Sequence, residues 1–231
     1  RNGQERHCPH RSVLGILNRD GALAEYITLP IRNLVKVPDS IASEEAVYAE
    51  PLAAVLQIAE QAALTLSDKV VVLGDGRLGL LAANVFGTSG HDITIMGLSR
   101  SKMNRALSVS SCLLPHEAED HAYDVAIDCT GSPSGFERAL SLLKPRGRLI
   151  LKTTVARRGV VDLNPLVINE ITLIGSRCGS LNAAVDFLDK STFAPSSLTS
   201  ATFSLSNGLQ ALEAAMDPAN IKVLLESSSD K

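Results

Sequence analysis

Residues 69–102 read KVVVLGDGRLGLLAANVFGTSGHDITIMGLSRSK, and the rest of the chain is organised around them. Val70, Val71, Val72 and Leu73 form an apolar, mostly β-branched run between a charge and a glycine, the pattern of a parallel strand buried on both faces. Gly74-Asp75-Gly76-Arg77-Leu78-Gly79 follows, then a helical run over 80–86 and a second strand over 93–96. A glycine triplet alone is a weak signal. Strand before, helix after and second strand at the proper distance give this one the context of a dinucleotide-binding turn. In that reading Gly74 makes the tight turn, Gly76 lets a diphosphate approach the backbone, and Gly79 lets the helix pack close to the strand. Free N–H groups near Arg77 and Leu78 then face the phosphates, helped by the helix dipole. The competing readings are a glycine turn in an unliganded α/β protein and the glycine loop of a methyltransferase.

The same rhythm recurs downstream. Residues 124–128 form a third apolar strand that runs into Cys129-Thr130-Gly131-Ser132-Pro133, with a helix expected over 136–143. Lys144-Pro145-Arg146-Gly147 reads as a turn, 148–152 as a strand ending in Thr153-Thr154, and 171–175 as another. Short strands alternating with helices predict an α/β, doubly wound parallel sheet. Ligands of such sheets lie beyond the carboxyl ends of the strands. Gly74–Gly79, Gly97–Arg100, Cys129–Gly131, Thr153–Thr154 and Ser176–Arg177 all fall there. Asp128 and Cys129 are open to a second reading, as plain strand-end residues.

Composition narrows the function classes. With 45% hydrophobic and 20% charged residues, the 231-residue chain is an ordinary globular sequence of one large or two modest domains. A net charge of −3 without a basic block offers nothing to nucleic acid or a membrane surface. No apolar run reaches the length of a membrane span. Aromatic residues are 3% of the chain, too few for base-stacking platforms. Cys8, Cys112, Cys129 and Cys178 show no pairing rhythm, which suggests a reducing compartment, hence a cytoplasmic location. The sequence begins with Arg in a polar stretch, so a preceding N-terminal part is expected, and targeting, an organellar address included, is not readable from it.

Outside the sheet, residues 1–12 read as a loop in which Cys8 is flanked by His7 and His10. Zinc usually wants four ligands with pairwise spacing, so a surface thiol is the better local reading. A strand is predicted over 24–29, ended by Pro30. Ser43 is a candidate helix N-cap, and 52–64 has helical periodicity that would bury Leu52, Val55, Leu56, Ile58 and Ala59. Glu50, between these apolar pieces, is either a solvated helix-end charge or a buried carboxylate that needs a cation or metal. Helices over 182–188 and 208–216 and a strand over 221–225 complete the chain.

The second strand ends in Met96-Gly97-Leu98-Ser99-Arg100-Ser101-Lys102, without the acid that usually holds the ribose hydroxyls of NAD. Ser99, Arg100 and Lys102 offer a hydroxyl and two cations, which suit a 2′-phosphate and favour NADP over NAD. The alternative is that both cations solvate a helix start.

Taken together, the chain resembles the medium-chain dehydrogenase/reductase superfamily, specifically its zinc-dependent alcohol dehydrogenase group. The resemblance rests on Cys8 followed by Leu14-Gly15-Ile16 and Asp20-Gly21-Ala22-Leu23-Ala24-Glu25-Tyr26, on Leu29-Pro30, Asn33-Leu34 and Val37-Pro38-Asp39, and on Glu50-Pro51-Leu52-Ala53. The glycine loop, Asp128-Cys129-Thr130-Gly131 and Ile171-Thr172-Leu173-Ile174-Gly175-Ser176 complete it. It implies a Rossmann domain (41–177) set between a remnant of a GroES-like, β-rich catalytic domain (1–40) and a tail (178–231) returning to that domain. It implies that Glu50 lies at a catalytic zinc, as ligand or just behind one, and that Cys8 is the last cysteine of a structural zinc site. Lys222 matches a basic position touching the cofactor diphosphate, and Arg177 is placed to reach cofactor or substrate. The implied chemistry is hydride transfer between an alcohol or carbonyl substrate and NAD(P), by a homodimer paired through strand 171–175. Two other readings stay open: a zinc-free quinone or enone reductase of the same superfamily, and a catalytically inactive NAD(P)-binding protein.

Overall fold

The structure is a computed structural model and describes residues 7–152 and 161–227. Its contacts divide the chain into two units: Val37–Leu198, and a second made of Arg1–Lys36 with Thr199–Lys231. The breaks expected near 40 and 177 therefore fall inside the first unit.

That unit holds a six-stranded, all-parallel sheet. Strands β1 (Lys69–Leu73), β2 (Asp92–Met96), β3 (Ser111–Leu113), β4 (Tyr123–Asp128), β5 (Leu143–Leu151) and β6 (Thr172–Gly175) lie in the order β3-β2-β1-β4-β5-β6. This is the doubly wound order with its reversal between β1 and β4, where a crevice opens at the carboxyl ends. Val70 pairs with Ile93 on one side and Val125 on the other, and Val70 to Leu73 are fully buried. A central strand covered on both faces has to be apolar throughout, which is why its sequence reads as an unbroken run.

Helices α1 (Ser43–Ala46), α2 (Ala49–Ala62), α3 (Arg77–Thr88), α4 (Arg100–Met103), α5 (Pro133–Leu142), α6 (Asn164–Ile168) and α7 (Leu181–Lys190) join the strands or flank them. Helix α3 is buried from Gly79 to Phe86, as a helix between sheet and neighbouring helices must be. Helix α2 starts at Ala49, before Pro51 rather than after it, because proline costs no hydrogen bond in a first turn. It buries Leu52, Ala53, Val55, Gln57 and Ile58, and leaves Leu56 and Ala59 only partly covered. The cap of α1 is Ala42, without a side-chain hydrogen bond, so Ser43 is a first-turn residue and not the cap. The turn expected over 144–147 is built into β5 as an irregularity. Tyr123 pairs with Leu143 and Val125 with Arg148, while Arg146 takes a left-handed φ of 64° and its N–H bonds Asn169 O.

The other unit contains β7 (Thr199–Ser204) paired in parallel with β8 (Lys222–Glu226), and α8 (Gly208–Met216) between them. The strand predicted over 24–29 does not form. Among the described residues of 7–36, the one bridge is an isolated antiparallel contact between Val13 and Leu17. Tyr26 is 90% exposed, so the alternating pattern there finds no neighbouring strand to pair with.

Candidate dinucleotide cleft

The carboxyl ends of β1, β2 and β4 open into a cleft of about 690 Å³, lined by Gly74, Asp75, Gly76, Gly97, Cys129 and Thr130 among others. Two of the three glycines have the local roles the spacing predicts. Gly74 has a φ of +110° and turns the chain out of β1. A Cβ on Gly79 would meet Gly74 O at 1.9 Å, so only glycine lets α3 approach the strand end. Gly76 is different: a Cβ there would meet nothing within 4 Å. Its bare backbone faces open space at the start of α3, beside the unpaired amides of a helix N-terminus. Arg77 and Leu78 form the first turn of that helix.

Across the cleft, the buried Asp128 organises the turn after β4. Its Oδ1 accepts from Thr130 N at 2.9 Å and from Thr130 Oγ1 at 2.7 Å. Gly131 continues that turn with a φ of 73°. Burial first, and then the neighbouring Asp128, push the Cys129 thiol up to about 12, with Lys152 only partly offsetting them. At neutral pH Cys129 is therefore a neutral lining group and neither a nucleophile nor a thiolate ligand.

Sequence reading missed several cleft residues. Ser132 caps α5 by accepting from Gly135 N at 3.0 Å and also lines the cleft, and Ser132-Pro133 is a recognisable cap signature. Arg138 lines it as well, its guanidinium held by Asp120, Pro115 O and Ala118 O, and nothing in its local sequence marks it. Asp75 sits in the x position of the motif, yet its carboxylate reaches the turn after β2. Lys152, at the carboxyl end of β5, donates to Ser176 Oγ at 3.2 Å and to Arg177 O. Burial draws its pKa down, and the thiols of Cys129 and Cys178 and the carboxylate of Glu50 oppose that.

The remaining predicted site residues are dispersed. Gly97, Ser99, Arg100 and Lys102 occupy the turn after β2 and the start of α4, as expected. Arg100 is not a free cation: it pairs with Glu117 and donates to Cys112 O. The Leu114 N–H above all holds Glu117 below the usual carboxylate range; burial opposes it, and the charge and hydrogen bond of Arg100 add to the lowering. Glu50 lies exposed in the first turn of α2, a favourable place for a carboxylate at a helix N-terminus. Arg177 follows β6 and is exposed. Thr153 lies outside the described residues. Cys8 and Lys222 belong to the other unit, Lys222 as the first residue of β8. Among the described residues no group of three or more His, Cys, Asp or Glu side chains is assembled that could hold a metal ion. The residues present thus do not by themselves fit a zinc ion, and no chemical step is derived through one.

Comparison with known proteins agrees with this architecture. The family described as zinc-binding dehydrogenase matches residues 116–190. Over 97% of its length the chain is 25% identical to sorbitol dehydrogenase of Halalkalibacterium halodurans, covering 70% of that protein. It is 24% identical to D-arabitol-phosphate dehydrogenase of Enterococcus avium, covering 69% of it. The crystal structure of L-idonate 5-dehydrogenase from Escherichia coli superposes with a TM-score of 0.83 at 25% identity, over 90% of this chain and 64% of that one.

The chain is similar to zinc-dependent medium-chain dehydrogenases over nearly its whole length.

The proteins it resembles are named as dehydrogenases, of sorbitol, D-arabitol phosphate and L-idonate, which supports an oxidoreductase reading of this chain. It spans between about three fifths and seven tenths of the length of the three dehydrogenases named above. Among the described residues no helix is long and apolar enough to cross a membrane.

Proposed function

We propose that this dehydrogenase chain holds a nicotinamide dinucleotide in the cleft at the β1–β4 reversal and serves hydride transfer between that cofactor and a small alcohol or its carbonyl partner. The observation that carries the reading is the open backbone at Gly76, between Gly74, held at a φ of +110°, and Gly79, whose Cβ position is closed by Gly74 O. A loop that needs glycine at 74 for its turn and at 79 for packing, and leaves the third glycine facing empty space, is shaped for something that approaches from outside. The amides opening α3 would hold the diphosphate. The Cys129–Gly131 turn, fixed by Asp128, would border the dinucleotide from the far side of the cleft.

The bound cofactor supplies the hydride acceptor. The chain supplies binding, orientation and exclusion of water. Lys152 and Arg177, at the carboxyl ends of β5 and β6, stand where the reactive end of a dinucleotide crossing the switch point lies. On the resemblance alone, Glu50 is proposed to lie at a metal region and Cys8 to be a structural zinc ligand, each only in company with ligands that the described residues do not assemble.

Titration of the chain with NADH, followed by nicotinamide fluorescence, tests the reading. Saturable one-to-one binding is expected. Gly76→Val should weaken it roughly tenfold or more, about 1.4 kcal/mol of affinity, without unfolding the chain, because the added side chain enters space that is open in the protein. Wild-type affinity in that variant, or no binding to the parent chain, would contradict the proposal.

A further inference from the structure

We propose that Asp75 makes this chain select NAD(H) over NADP(H), an inference that rests on the dinucleotide reading of the cleft. The residue lies in the glycine loop after β1, but its side chain works at the end of β2. Its Oδ2 accepts from Leu98 N at 2.9 Å and from Ser99 N at 2.6 Å. Gly97 makes this possible: a Cβ at that position would stand 2.5 Å from the Cβ of Asp75. Glycine at 97 therefore makes room for the carboxylate as well as for a ligand.

The turn after the second strand is where an adenosine ribose lies in sheets of this order. A 2′-phosphate placed there looks for backbone donors and cations. In this chain the Leu98 and Ser99 amides already serve an internal carboxylate. The Arg100 guanidinium is likewise taken by Glu117 and Cys112 O. A doubly negative phosphate would approach Asp75 with its donors occupied. A ribose 2′-hydroxyl instead brings a donor, and Oδ1 of Asp75 has no partner among the described residues to compete for it. The acid missing from the end of β2 is thus replaced by one reaching over from the glycine loop.

The test is titration of the whole chain and two variants with NADH and NADPH by nicotinamide fluorescence. The wild-type chain should bind NADH roughly tenfold or more tighter than NADPH. Asp75→Asn keeps an acceptor for the two amides and removes the charge, and should raise NADPH affinity roughly fivefold. Asp75→Ser also frees the amides, and should bring the two affinities together or invert them. Circular dichroism reports whether each variant is folded, and if Asp75→Ser is not, Asp75→Asn decides. A wild-type chain that binds NADPH as tightly as NADH, or an unchanged ratio in a folded variant, overturns the assignment of Asp75 and leaves the dinucleotide site standing. Failure of the wild-type chain to bind either dinucleotide overturns the site itself, and the assignment with it.

Discussion

Cys129 shows how environment decides what a side chain does. A cysteine at the rim of a cleft, next to a possible metal region, invites a catalytic reading. Burial beside Asp128 instead keeps its thiol protonated far above neutral pH. Cys112 is likewise raised by burial, against the pull of Arg100, whereas Cys178 is exposed. Brief iodoacetamide treatment at pH 8 followed by peptide mass spectrometry should find Cys178 alkylated and Cys112 and Cys129 largely spared, by roughly tenfold or more in rate. Labelling of Cys129 as fast as Cys178 would show that its thiol is neither desolvated nor neutral. Asp75 carries the opposite lesson. Its identity is plain in the sequence, but its partners lie 23 and 24 residues away, and no local pattern announces a carboxylate folded back on the next turn. Arg100 is read from sequence as a free cation, and no local pattern shows that Glu117, 17 residues on, pairs with it.

Elements differ in how openly the sequence declares them. The central strands were legible because burial on both faces forces continuous apolar runs, and the helix after the glycine loop because its packing allows little polar surface. The edge strand β3 was not, since Ser111-Cys112-Leu113 is short, mixed in polarity and only partly buried. The strand expected over 24–29 failed for the reverse reason: the pattern exists, but a strand exists only with a partner. One element junction rests on a single side chain. Arg148, on β5, donates to Ala62 O and Ala63 O at the end of α2 and pairs with Asp68, at 24% and 12% side-chain exposure. Burial alone would raise the Asp68 pKa, but the Thr65 N–H, Arg148 and the Thr65 hydroxyl outweigh it and hold the carboxyl below its ordinary value. Arg148→Ala should cost about 1–3 kcal/mol, seen as a fall in thermal midpoint of roughly 2–4 °C for each kcal/mol. A group with a lowered native pKa stabilises above its unfolded pKa and loses that contribution as pH falls through the native value. The difference between wild type and variant should therefore be constant from pH 6 to 8 and shrink below about pH 4. A difference that grows on acidification would refute the pair.

At the scale of the whole molecule, the sheet leaves β6 at its edge, with Thr172 and Leu173 exposed and Leu173 41% accessible. An open apolar edge is usually covered. We infer pairing of two copies through this strand, and sedimentation velocity should show a dimer that Leu173→Asp converts to monomer. A wild-type chain sedimenting as monomer at micromolar concentration would remove that inference. The doubly wound parallel sheet, the glycine loop and the likeness to dehydrogenases were readable from spacing and quoted motifs, because they depend on local pattern, whereas the strand order was not. The substrate was not, because a pocket is made by residues far apart in sequence and this chain covers only part of its relatives' length. The position of the diphosphate decides the function of the cleft, and a crystal structure of the chain with NADH bound tests it most directly. It should show the diphosphate over Gly76, within hydrogen-bond distance of the amides opening α3. A diphosphate anywhere else on the chain, with the space over Gly76 left empty, would contradict it.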